Sequence, residues 1–191
     1  PQKKLYNSML RNLGFPFRLD TLLLTRSKIV YEEELDPKRG PGKISFENFN
    51  LKALHLKSAT GHQKMQDVAI RIDCRFMGSS PMKVNWNFNV LDRNDGFRIK
   101  GSILDFDTED LVPFTKNYSN MKQQGKFDSV QFDIYGNDRQ SKGNFALAYH
   151  DLKVTLYKKK DPTKKAKLKT AVANLLVKND SDGKAKKTTV A

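Results

Sequence analysis

Between residues 68 and 103, apolar and polar positions alternate with a period of two. Val68, Ile70, Ile72, Cys74 and Phe76 are separated by Ala69, Arg71, Asp73 and Arg75. After Gly78-Ser79-Ser80-Pro81 the pattern resumes with Met82, Val84, Trp86, Phe88 and Val90 against Lys83, Asn85, Asn87 and Asn89. After Asp92 to Gly96 it returns as Phe97, Ile99, Gly101 and Ile103 against Arg98, Lys100 and Ser102. Period-two alternation marks half-buried strands, and Gly, Pro, Asn and Asp mark the turns between them. Three strands joined by short connections form an antiparallel meander with one apolar and one wet face. Three strands do not bury enough apolar surface to offset the entropy of ordering them. The apolar face therefore needs a second layer: another sheet, a helix, or an apolar ligand.

The same pattern, less regular, extends to both sides. Residues 2–13 carry Leu5, Met9 and Leu13 on one helical face, and Gly14 and Pro16 end the helix. Residues 17–35 and 43–58 predict two long strands in which the apolar parity switches, the mark of bulges. Residues 59–66 predict a loop. Period changes again over 108–121, where Leu111, Phe114 and Tyr118 share a helical face, with Thr108 as N-cap and Pro113 in the first turn. Alternation returns over 127–134 and 143–158. Residues 168–177 suit either a helix or a final strand, and the last dozen residues suit a disordered tail. The fold class expected is mainly β: about eight antiparallel strands with one or two short helices. The β domain spans residues 1–157, followed by a lysine-rich segment, 158–191, expected to be partly disordered.

Composition changes this picture in one place. The net charge is +14 over 191 residues, and residues 158–191 hold eleven lysines against three aspartates. More than half of the excess charge is therefore local. Such a run suits anionic lipid or other phosphate-bearing surfaces, or a solvated linker. No helix-turn-helix, zinc-finger or RNA-binding signature accompanies it, and aromatic residues are not interleaved among the lysines apart from Tyr157, so nucleic acid is not an expected partner. The longest apolar run is Leu22-Leu23-Leu24, too short to span a membrane. The chain opens on Pro1 and reads as a piece of a longer protein. Cys74 falls on the apolar parity and is expected to be a small buried hydrophobe.

Chemistry-bearing motifs are not apparent. His55, His62 and His150 show no metal-ligand spacing, and His150-Asp151 reads as a chance pair. There is no nucleophile elbow or glycine-rich phosphate loop. The carboxylates at Glu32, Glu33, Glu34, Asp105 and Asp107 sit at strand ends and turns, and a glycosidase would need two of them facing across a cleft. No catalytic residue, metal or cofactor is expected. The best ligand-facing surface is the apolar parity itself, with Val84, Trp86, Phe88, Ile99, Ile103, Phe132 and Ile134 as candidates. Plain core is the simpler reading of those side chains, and periodicity does not separate a face packed on protein from one coated by acyl chains.

Several stretches resemble the C-terminal region of AsmA/TamB-type bacterial envelope proteins, especially the long AsmA-like proteins of Bacteroidetes. They are Asn12-Leu13-Gly14-Phe15-Pro16-Phe17 with Asp20-Thr21-Leu22 and Ile29-Val30-Tyr31-Glu32-Glu33; Gly42 to Phe49; Gly101 to Phe106; and Ala148 to Val154. The resemblance covers most of residues 12–178. It implies a curved antiparallel sheet forming an open groove or half-barrel with an apolar lining. It implies a periplasmic protein held to the inner membrane by a helix outside this sequence, engaged in lipid transport or outer-membrane biogenesis. A phospholipid or other envelope lipid is the implied partner, with other envelope proteins and a membrane surface nearby. On that reading Lys158, Lys159, Lys160, Lys164 and Lys165 are candidates for anionic headgroups. Two other architectures stay open: a closed β-sandwich serving as a structural or protein-interaction module, and a closed lipocalin-type barrel.

Overall fold

The computed structural model describes residues 5–34, 40–59, 67–158, 161–165, 181 and 186–190. The chain forms one mainly antiparallel β-sheet with two short helices. Helix α1 (Tyr6–Arg11) leads into β1 (Arg18–Glu33) and β2 (Gly42–Lys57). The meander follows as β3 (Val68–Phe76), β4 (Ser80–Phe88) and β5 (Phe97–Asp107). A 3-10 turn (Thr108–Leu111) runs into α2 (Val112–Ser119). Then come β6 (Met121–Gly136), β7 (Ser141–Lys158), β8 (Asp161–Lys165) and β9 (Lys186–Val190). Strands β1 to β8 pair in sequence order, and β9 returns to pair with β7. No described strand joins β1 to β7, so the sheet is open and the closed barrel is not formed.

Three expectations are corrected. The helix expected over 108–121 with Thr108 as N-cap is a 3-10 turn capped by Asp107, whose carboxylate accepts from the Glu109 N–H, followed by Val112–Ser119. The chain end is not wholly frayed: Lys186–Val190 pairs with Gly143 to Leu147. The helix 2–13 is shorter, Tyr6–Arg11, with residues 1–4 outside the described set. Its apolar stripe is also not the docking face. Met9 is exposed, whereas Leu10 packs against the core. The reason is polar. Asn7 and Arg11, one turn apart, grip the loop after β4. Asn7 Nδ2 donates to the Gly96 carbonyl at 3.1 Å. Arg11 donates to the carbonyls of Val90 (3.0 Å) and Asp92 (2.6 Å) and pairs with Asp95 at 2.7 Å. A six-residue helix has little intrinsic stability, so these contacts hold it. The segment 168–177 lies outside the described residues.

The parity switches expected from sequence occur as bulges. The β1–β2 register shifts between Leu24 and Ser27 and again before Ile29, with Arg26 and Asn48 in the left-handed region. Asp105 takes φ +52°, and Ile103 and Phe106, three apart, reach the same face. The result is a row of rings across five strands. Phe46 meets Phe76 at 5.7 Å, Phe76 meets Phe106 at 5.2 Å, Phe106 meets Phe127 at 6.4 Å, and Phe127 meets Tyr149 at 6.0 Å. Ser80, on the intervening β4, is small enough to lie beneath this row; it is 1% exposed and donates to the Asp105 carbonyl.

Candidate functional site: an apolar trough

Strand register carries the apolar positions into continuous rows. One row is Leu24, Leu51, Ile72, Val84, Gly101, Phe132 and Phe145, each opposite the next. The next row is Leu22, Ala53, Ile70, Trp86, Ile99, Ile134 and Gly143. A third begins at Cys74 and continues through Met82, Ile103, Val130 and Leu147. The first two rows cross seven strands and the third crosses five, all on one face. Gly101 is required here: a Cβ would lie 2.4 Å from Phe132 Cζ and 2.6 Å from the Lys83 carbonyl, so the ring fills the space above the glycine. The other face carries Arg71, Asp73, Lys83, Asn85, Arg98 and Lys100.

The sheet curls. Phe114 of α2 lies against Gly42 at the start of β2, where a Cβ would be 3.1 Å from its ring. The next residue, Thr115, donates to Gln123 of β6 at 2.9 Å. Strands β2 and β6 are four ladders apart, about 19 Å in a flat sheet. Two adjacent residues bridging them require that end of the sheet to bend round the helix. A buried polar cluster fixes α2 there: Gln123 Nε2 donates to the Thr108 carbonyl at 2.9 Å, and Thr108 Oγ1 to the Gly125 carbonyl at 2.8 Å. Gly125 has φ +105°, and a Cβ would lie 2.3 Å from the Asp151 carbonyl. Helix α1 closes the other end, where Leu10 packs with Ala53, Val68, Ile70, Phe88 and Val90.

The candidate side chains divide along this axis. Phe88 belongs to the α1 end and is 4% exposed. Val84 is 7% exposed among its neighbours. Trp86, Ile99, Ile103, Phe132 and Ile134 are half-buried and share the middle of the face. Trp86 meets the Tyr6 ring edge-on at 5.1 Å, and its indole N–H is buried with no acceptor among the described residues. Sequence reasoning missed Leu22, Leu24, Leu51, Phe145 and Leu147, which extend the trough on both sides. The parity switches hid them; register alone puts them on this face, with Leu22 opposite Ala53, Leu24 opposite Leu51, Leu51 opposite Ile72, Phe145 opposite Phe132 and Leu147 opposite Val130. Among the lysines, Lys158 is exposed at the end of β7, beside the α2 end of the trough, and Lys164 and Lys165 lie in β8. Lys159 and Lys160 lie outside the described residues.

Titratable groups are placed for structure. The Arg98 guanidinium donates to both Asp133 oxygens across β5 and β6, at 2.8 and 2.7 Å. These bonds hold the Asp133 carboxyl below the usual carboxylate range and raise Arg98. Burial, helped by the neighbouring Asp73, raises the Cys74 thiol. His150 pairs across the ladder with Asp128 at 2.9 Å, not with Asp151. Among the described residues no group of His, Cys, Asp and Glu is placed to hold a metal ion. Comparison with protein-family models, curated proteins and solved structures found no match.

Proposed function

We propose that this chain is a non-enzymatic, AsmA-like envelope module that contacts the acyl chains of a phospholipid or similar lipid along its apolar trough. One observation carries the reading. Apolar rows run in register across seven strands, yet among the described residues the helices pack at the two ends, with α1 reaching inward to Trp86 through Tyr6. An acyl chain in the middle would gain about 0.8 kcal/mol per buried methylene. The orphan Trp86 N–H supplies a hydrogen-bond donor for an ester carbonyl once the exposed Tyr6 ring moves aside. Lysines at the α2 end would add about 1 kcal/mol each near an anionic surface. The periplasmic location, the anchor outside this sequence and a role in lipid transport or outer-membrane biogenesis belong to the same proposal.

The test is native mass spectrometry of protein purified without detergent, followed by lipid extraction. Co-purified phospholipid, lost in Ile99→Lys and Phe132→Lys with circular dichroism unchanged, is the expected outcome. A lipid-free, cooperatively melting domain that takes up no phospholipid from vesicles would overturn the reading.

A further inference from the structure

We infer that the outer edge of β1 pairs with the β1 edge of a second copy of this chain, antiparallel, with Arg18 of one copy opposite Glu33 of the other. The first ground is exposure. Leu22, Leu23, Leu24, Ile29, Val30 and Tyr31 are six of the twelve exposed large hydrophobics among the described residues, and all lie on this strand. They fall on both of its faces, as a strand in a sheet interior would have them. A sixteen-residue edge that exposes these six side chains and has no described strand along it is a pairing template.

The second ground selects the partner and the register. A sheet continuing through two copies must keep apolar face against apolar face. Leu22 and Leu24 share that face with Ile29, to judge by their β2 partners Ala53, Leu51 and Phe46. Setting Arg18 opposite Glu33 puts Leu22 opposite Ile29 and Leu24 opposite Ser27, so the faces match. The Thr25–Arg26 bulge then lies at the two-fold axis, with Arg26 of one copy opposite Thr25 of the other. An edge bulge normally defeats a foreign strand. Here each bulge compensates the other, and the register is the same on both sides of it. Shifting by two residues one way sets Asp20 against Glu33 twice; the other way sets Asp20 against Ile29. Both separate the bulges. A parallel pairing would align Glu32 and Glu33 with themselves. Like charges directly opposed are unfavourable, and the Arg18–Glu33 pairing occurs twice per dimer.

Sedimentation equilibrium of the whole chain tests the stoichiometry, and cysteine cross-linking tests the register. The expected mass is twice 21.9 kDa. Native Cys74 is buried, so introduced thiols report alone. A mixture of Leu22→Cys and Ile29→Cys proteins should form a disulfide. Leu22→Cys alone should not, because its two copies lie about 23 Å apart. Arg18→Glu should raise the dimer dissociation constant about tenfold, and Arg18→Glu with Glu33→Arg should restore it. Circular dichroism confirms that each variant folds. A monomer at all concentrations, open-ended polymer, cross-linking from Leu24→Cys with Ile29→Cys instead, or a dimer indifferent to Arg18→Glu would each overturn the inference. So would a monomer whose β1 captures a different extended peptide.

Discussion

The two long edges of the sheet are finished in opposite ways. On the β7 side, β9 pairs with Gly143 to Leu147, and β8 pairs with Tyr157 and Lys158. Between them Ser181 exchanges two bonds with Tyr149: its N–H donates to the Tyr149 carbonyl, and its Oγ accepts from the Tyr149 N–H, both at 3.0 Å. Lys186 lies over the Tyr149 ring. On the β1 side no described residue gives such cover, and exposed leucine, isoleucine, valine and tyrosine side chains stand among polar ones. The polar, lysine-rich end of the chain is thus spent on closing one edge. The apolar N-terminal strand is left as the other. An edge needs backbone partners to be closed and needs side-chain character to be opened to a specific partner.

The largest effect should come from removing the cover. Deleting residues 181–191 strips the backbone bonds of β9 and Ser181 from β7. The expected loss is about 3 kcal/mol, or roughly 6–12 °C in melting temperature, with new self-association through β7. Calorimetry and sedimentation would check both. Ser181→Ala is the sharper version. It leaves the buried Tyr149 N–H without its acceptor and should cost about 2 kcal/mol in urea titration. A loss below half that value would mean that water replaces the hydroxyl.

The sheet interior provides a reference between the edges. Asp133 has a lowered pKa in the folded state, so its pairing with Arg98 stabilises above the unfolded carboxylate range and is lost as pH falls through the folded value. The pair is open to solvent, so screening keeps its contribution small. Asp133→Asn should lower stability slightly at neutral pH, where the pairing is present, and flatten the profile below about pH 4, where the wild type loses it. Smallest of all should be Leu23→Lys on β1. Leu23 is 60% exposed, so the monomer's stability should change by no more than about 0.5 kcal/mol in a denaturant titration. A cost of 2 kcal/mol would show that Leu23 is covered in solution.

Much of the β architecture is legible in the sequence, for a physical reason. Where one face is packed and the other wet, as in β3 and β4, parity repeats without interruption and fixes the register. Gly, Pro, Asn and Asp punctuate it. Pro113 and the acidic first turn likewise mark the helical segment before β6. Legibility fails at bulges. Ile103 and Phe106 share a face only because Asp105 adopts a left-handed conformation, so the ring row is invisible to a period-two count. It fails again at β9, where Lys186-Lys187-Thr188-Thr189 lacks an apolar stripe. An edge strand can be held by backbone bonds alone. Helix α1 shows the third kind of failure: its position is set by Asn7 and Arg11 reaching loop carbonyls some 80 residues away, which local periodicity does not encode. The candidate site is legible in its centre and hidden at its margins, since Leu24 and Leu51 flank shifts in register.

Strands β1 to β7 each lie beside their neighbours in the sequence. Such a sheet has no crossover to rewire. A duplicated hairpin inserted between two strands would add two rungs to the trough while leaving every other pairing intact. The length of the trough is thus a quantity that gene duplication can adjust in steps of two strands, about 10 Å at a time.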